Sequence, residues 1–251
     1  MSGKSLWIGN TKVEAKAVGF DKDGTLFDAV AFWVYIDTLR KQQFLNLAGE
    51  EHLEQWEKLM GIRGADDVDH NGVLAIATTL EEIILTAGAF YQLKGWPWTE
   101  CKAKAESVFR LADENTVLDQ AFQAKEGASE VILSLLDEGI RTGILTSDKW
   151  TRAEQCMDLL GVKERLDFLI TPEQVEKGKP NPDMVYKACE QLGISPHEMV
   201  VVGDSVVDMK MAKAAGSIAV GIVTYDGSRE VLSEDADFLI DSLLEIRIGS
   251  K

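Results

Sequence analysis

The sequence predicts an α/β protein, a doubly wound parallel sheet wrapped by helices into which a separate all-helical domain is inserted. Three observations predict it. From about Glu126 onward, short apolar runs alternate with amphipathic stretches, the rhythm of βαβ units. Between Ala29 and Val117 that rhythm is missing, and apolar residues recur at helical spacing. A first apolar run, "AKAVGF" at 15–20, precedes the helical block while the other runs follow it, so the block interrupts the α/β domain. The expected division is an α/β core of residues 1–28 and 118–251 and a helical insertion of residues 29–117.

Taken in order, the first run stops at Asp21, Asp23 and Gly24, residues that break a strand. The insertion then carries "AFWVYIDTLRKQQFLNLAG", "EEHLEQWEKLMG", "GVLAIATTLEEIILTAGAF" and "TECKAKAESVFRLADE", each with helical periodicity. In the core, "IRTGILT" at 140–146, "LDFLI" at 166–170, "MVVVG" at 199–203 and "IAVGIV" at 218–223 read as strands. Apolar runs of this length suit strands covered on both faces, as in a parallel sheet. The stretches around them, "ASEVILSLLDEG", "TRAEQCMDLLG", "PDMVYKACEQLG" and "VVDMKMAKAAG", each end on the glycine favoured just past a helix C-terminus.

Composition narrows the function. With 42 acidic residues against 26 basic ones, the formal charge is −16, a field that repels polyanions. Neither nucleic acid nor membrane is expected as a partner. An anionic substrate would need local cations, backbone N–H groups or a bound metal to overturn that field at short range. Cys101, Cys156 and Cys189 lie far apart without CxxC spacing, and His52, His70 and His197 share no ligand spacing, so neither a disulfide framework nor a zinc site is expected. The amino end has no apolar h-region, and no stretch approaches the ~18 apolar residues of a membrane helix. The expectation is a cytoplasmic monomer or homodimer.

In open parallel sheets, sites form beyond the carboxyl ends of the strands. After the first strand come Asp21 and Asp23; after "GIL", Thr146, Ser147 and Asp148; after "DFLI" and a short loop, Lys177 and Lys179; after "MVVVG", Asp204, Ser205 and Asp208. These residue types suit the holding of a phosphoryl group beside a divalent cation. Hard Mg²⁺ takes oxygen ligands, binding through one or two carboxylates with water and phosphate completing the shell. A hydroxyl and an ammonium would meet the charge on the phosphoryl oxygens. Taken singly, each motif also reads as local structure: "DKDGT" and "KPNPD" as turns, Thr146 and Ser205 as helix N-caps, Asp208 as a first-turn acid.

Together and in this order, "DKDGTLFD", "GILTSD", "GKPNPD" and "VVGDSVVDMKMAKAAG" resemble the four motifs of the haloacid dehalogenase superfamily, with the helical insertion similar to its C1 cap. The resemblance spans about 160 residues of a Rossmann-like core and least resembles the family in the cap. It implies a phosphatase similar to the phosphoglycolate phosphatases, acting on a small phosphate monoester with Mg²⁺ as cofactor. Carried over, it makes Asp21 the nucleophile that forms an aspartyl-phosphate and Asp23 the acid and base. It assigns Thr146 and Lys179 to the phosphoryl oxygens. Asp21, Asp204 and the backbone carbonyl of Asp23 would bind the metal. Asp208 would support Lys179 or a metal-bound water, with Ser147 and Ser205 in supporting places.

Asp23 favours phosphate esters, since dehalogenases of the superfamily lack that acid and phosphonatases carry a small residue there. Lys22, where the family often has an apolar residue, is expected by strand alternation to point away from the aspartates. "DKDGT" also resembles the "DKTGT" of P-type ATPases, but no membrane helices accompany it. Lys177 competes with Lys179, which Pro180 and Pro182 favour. In the insertion, Trp33, Trp56, Trp96 and Trp98 are expected as packing anchors. The polar stretch "GIRGADDVDHNG" at 61–72 offers Arg63, His70 and Asn71 as candidates for reading the leaving group, against the alternative of a solvated turn. A phosphomutase, and a phosphate-binding or regulatory module with slow turnover, stand as alternative readings.

Overall fold

The computed structural model describes residues 4–64, 67–70 and 72–249. The chain divides into two compact units, one built from residues up to Asp28 and from Ala124 onward, the other from Ala29–Gln123.

Among the described residues, the first unit holds nine strands: β1 (Lys4–Ile8), β2 (Thr11–Ala15), β3 (Ala17–Phe20), β4 (Arg141–Leu145), β5 (Phe168–Ile170), β6 (Met199–Gly203), β7 (Ile218–Ile222), β8 (Phe238–Ile240) and β9 (Ile246–Ile248). Six form one parallel sheet in the order β5-β4-β3-β6-β7-β8. Every residue of β3 and β6 is buried, as near-continuous Val/Ile/Leu runs require when helices cover both faces. From β3 the chain builds outward through β4 and β5, then returns to β3's other side with β6. The strand order therefore reverses at β3, where open α/β sheets bind ligands. Phe20 lies level with Ile144 of β4 and Val202 of β6, so the three strands end in one row.

Strands β1, β2 and β9 form a second, antiparallel sheet that sequence periodicity alone did not reveal, and β8 was missed with them. Its signal was present: "LWIGNTKVEA" is two alternating segments about a Gly-Asn pair, a hairpin pattern. Strands β8 and β9 are three residues each, too short for a period to register.

The helical unit contains α1 (Ala29–Ala48), α2 (Leu53–Met60), α3 (Val73–Ile76), α4 (Thr79–Lys94), α5 (Trp98–Glu114) and α6 (Leu118–Ala121). Its core is aromatic: the Phe44 ring centroid lies 4.8 Å from Trp56 and 5.0 Å from Phe90. Trp56 is fully buried and donates to Asp37 Oδ1 at 2.8 Å, while Trp33 and Trp96 pack partly buried against the same core. Trp98 is more exposed, lying edge-on to Tyr91. The unit closes at Gln123 instead of the expected Val117, because Phe122 stacks on Phe32 of α1 at 4.7 Å.

Helices α7 (Ala128–Asp137), α8 (Trp150–Leu159), α9 (Asp183–Leu192), α10 (Val206–Ala215) and α11 (Ser228–Leu232) complete the first unit. Among the described residues, no helix is long and apolar enough to cross a membrane.

Candidate active site

Asp21 continues β3 by one residue, its N–H donating to Val202 O of β6 at 2.8 Å. The chain then turns sharply, with the N–H groups of Leu26 and Phe27 both donating to Lys22 O, at 2.9 and 3.1 Å. Gly24 makes the turn possible. Its φ is +82°, and a Cβ there would lie 1.9 Å from Asp204 Oδ2, so neither the backbone nor the space admits a side chain.

Asp204 follows β6 directly, and Ser205 caps α10. Ser205 Oγ and N–H both donate to Asp208 Oδ2, and Asp208, the third residue of the helix, donates its N–H to Ser205 Oγ in return. The capping box thus pins one oxygen of Asp208 and aims the other outward. That other oxygen meets Lys179: the Lys179 Nζ lies 2.6 Å from Asp208 Oδ1 and 2.5 Å from Asp21 Oδ1, with its side chain only 2% exposed. Lys177 is exposed and pairs with neither aspartate among the described residues, so Lys179 is the one of the two lysines that lies beside them.

Thr146, the residue after β4, is buried. Its Oγ1 accepts from Asp148 N–H at 3.1 Å and keeps its own proton for donation. Ser147 beside it is exposed. Asp23 stands apart from the buried carboxylates. Among the described residues its side chain pairs with Lys22, whose Nζ is 2.5 Å from Asp23 Oδ1 and 3.0 Å from Asp148 Oδ2. The expectation that Lys22 points away is therefore corrected: β3 ends at Phe20, so strand alternation no longer governs residue 22. Arg152, one helical turn beyond Asp148, completes the chain at 2.5 Å.

The sequence reading named Lys22 and Gly24 without giving either a place at the site, and did not consider Arg152. The i,i+4 spacing of Asp148 and Arg152 at a helix start was an available signal for one of them. Arg63 and His70 belong to the helical unit, where Arg63 pairs with Asp69 at 2.8 Å and His70 lies edge-on to Trp33. Asn71 lies outside the described residues.

Electrostatics here are unbalanced. Burial raises the Asp21 carboxyl to about 7; Asp208 and Asp23 add to the rise, and Lys179 opposes it. Burial raises Asp204 well above its ordinary range, with Asp21 and Asp208 adding to it against Lys125 and Lys179. Burial works to lower the Lys179 ammonium, but Asp208 and Asp21 outweigh it, so Lys179 stays charged. Asp148 is held below the usual carboxylate range: burial would raise it, and Arg152 and Lys22 prevail.

The residues fit a hard divalent cation. Asp21, Asp204 and Asp208 each offer one carboxylate oxygen, all within 4.8 Å of one another, near the ~4.2 Å span of a Mg²⁺ shell. The donor set is all oxygen, as Mg²⁺ prefers, and the Asp204 carboxylate makes no hydrogen bond or ion pair among the described residues. Crowded, buried carboxylates short of counter-charge are stabilised by added positive charge.

Comparison with known proteins adds the family. A family model described as haloacid dehalogenase-like hydrolase matches residues 15–216. The chain is 39% identical over 235 residues to a phosphonoacetaldehyde hydrolase of Bacillus cereus, covering 89% of this chain and 81% of that one. It is 27% identical over 230 residues to a phosphoglycolate phosphatase of Nitrosococcus oceani, covering 90% and 92%. The crystal structure of a predicted phosphoglycolate phosphatase from Haemophilus somnus superposes with a TM-score of 0.66 at 19% identity, covering 91% and 95%, and shares the fold.

Proposed function

The chain belongs to the haloacid dehalogenase-like hydrolases, and on that premise we propose that it is a phosphatase of a small phosphate monoester, working through Asp21. One observation carries the reading. At the point where the strand order reverses, Lys179 joins Asp21 to Asp208 within a buried carboxylate cluster, and Asp23 stands two residues from Asp21.

In this reading an oxygen of Asp21 attacks phosphorus, and the bond from phosphorus to the ester oxygen breaks. Asp23 gives that oxygen its proton. Asp23, now ionised, takes a proton from water as the water attacks the aspartyl-phosphate, and the phosphorus–Asp21 bond breaks to release inorganic phosphate. Lys179 neutralises Asp21 and meets the phosphoryl oxygens, to which Thr146 donates its hydroxyl proton. Asp21, Asp204 and the Asp23 carbonyl would hold Mg²⁺, with Asp208 alongside. When bound, the cation supplies positive charge that draws the phosphate toward the carboxylates and stabilises charge developing in the transition state.

The phosphonoacetaldehyde hydrolase relative raises carbon–phosphorus cleavage as a competing chemistry. Asp23 supports the ester reading. An alkoxide needs a proton on leaving, and phosphonatases of this superfamily carry a small residue at that position.

The test is phosphate release from p-nitrophenyl phosphate, with and without Mg²⁺, by wild type and Asp21→Asn. Metal-dependent release that falls at least about 10³-fold in the variant supports the proposal. Equal rates in the two proteins would overturn it.

A further inference from the structure

The lysine between the two aspartates has no role in the proposed chemistry as so far described, yet it is among the largest fully buried side chains of the molecule. A buried ammonium is costly unless paired, and Lys22 is paired twice, with Asp23 at 2.5 Å and Asp148 at 3.0 Å. The two contacts differ in kind. Asp148 is itself buried and gripped by Arg152 through three nitrogen–oxygen contacts of 2.5–2.8 Å, and it also accepts from Lys149 N–H at 2.7 Å. It is a fixed anchor. Asp23 is one-third exposed and makes no other hydrogen bond or ion pair among the described residues. Without Lys22, nothing seen here would fix the direction of its carboxylate.

We infer that Lys22 is a positioning residue for Asp23: it carries the rigidity of the Arg152–Asp148 pair on α8 to the carboxylate that exchanges the proton with the ester oxygen and with water. Lys22 touches no reacting atom. It fixes one oxygen of Asp23 and leaves the other to work. This inference rests on the reading of Asp23 as acid and base given above. It explains why a cation occupies a fully buried position.

A leaving-group comparison tests it with Lys22→Met, which keeps the chain length and leaves Asp148 paired with Arg152. The probes are p-nitrophenyl phosphate, whose leaving oxygen departs without a proton, and benzyl phosphate, whose alkoxide needs one. The quantity read is kcat/KM, which reports the first phosphoryl transfer and not the later attack of water. For Lys22→Met, kcat/KM on benzyl phosphate should fall at least about tenfold, a part of the 10²–10⁴ that a positioned acid contributes, while on p-nitrophenyl phosphate it changes less than about threefold. With p-nitrophenyl phosphate the variant should also release p-nitrophenol in a burst and then slow, because water attack on the intermediate needs the same Asp23. Equal losses on both esters, or no loss on either, would overturn the inference.

Two further variants separate the possible failures. Asp23→Asn should show the same split more strongly; equal losses there would overturn the acid assignment and the role of Lys22 with it. A split in Asp23→Asn without one in Lys22→Met would overturn Lys22 alone. If Lys22→Met does not fold, Asp148→Asn, which loosens the anchor from the other side, should show the split in smaller measure, and its absence would contradict the inference.

Discussion

At the scale of single residues, the site depends on a few atoms that leave no room for variation. Gly24 is the sharpest case, because its positive φ and its approach to Asp204 both exclude a Cβ. Gly24→Ala should push the Asp204 carboxylate out of the cluster and lower kcat/KM for p-nitrophenyl phosphate by at least about tenfold. The left-handed backbone should add roughly 1–2 kcal/mol of destabilisation, read from the denaturant midpoint. Unchanged kinetics would mean that the turn and the carboxylate are independent. At this scale the sequence was legible where chemistry is written in residue type and order. Asp21, Thr146 and Asp204 directly follow β3, β4 and β6, Asp208 lies in the first turn of α10, and Lys179 lies in the loop between β5 and α9. It was less legible where geometry decides: the partners of Lys22 depend on where β3 ends, and a period of two cannot report that.

At the scale of elements, helix caps and buried ion pairs do the positioning. The capping box of α10 satisfies a helix terminus and at the same time orients Asp208 toward Lys179, so one pair of residues serves as a cap and fixes a carboxylate against the lysine. In the helical unit, Arg40 of α1 pairs with Glu82 of α4 at 2.8 Å and lies 4.4 Å over the Phe109 ring. Burial nevertheless raises Glu82 to about 7; Arg40 pulls it down, while Asp113 and Asp37 add to the rise. Desolvation outweighs the pair. Between pH 4.5 and 7 the folded protein therefore holds a proton on Glu82 that the unfolded chain has released, so stability from this group falls as pH rises through that window. Thermal midpoints measured from pH 4.5 to 7 should lose part of that slope in Glu82→Gln. An unaltered slope would contradict the raised value. Elements this regular were visible in the sequence; the hairpin of β1 and β2 went unread because its apolar positions alternate over only five residues on each side.

At the scale of the whole molecule, topology brings the chemistry together. Residues 21, 146, 179 and 204 are far apart in the chain but follow or lie near strands that end along one edge of the parallel sheet, at the point where its order reverses. That convergence was deducible from sequence, since each motif follows an apolar run. The substrate was not: the candidates offered for it lie in the polar stretch at 61–72, where no apolar run marks a place, and Arg63 there pairs with Asp69. An overall charge of −16 must be overturned locally for an anionic substrate to bind, and Lys179, its side chain 2% exposed, is the lysine set against Asp21 and Asp208. The central claim is that Asp21 carries the phosphoryl group. The most direct measurement is to quench the protein in acid during turnover of p-nitrophenyl phosphate with Mg²⁺ and to locate any added phosphoryl group by peptide mass spectrometry. The account predicts it on the peptide containing Asp21, and on none in Asp21→Asn; a phosphoryl group on another residue, or steady turnover by Asp21→Asn, would contradict it.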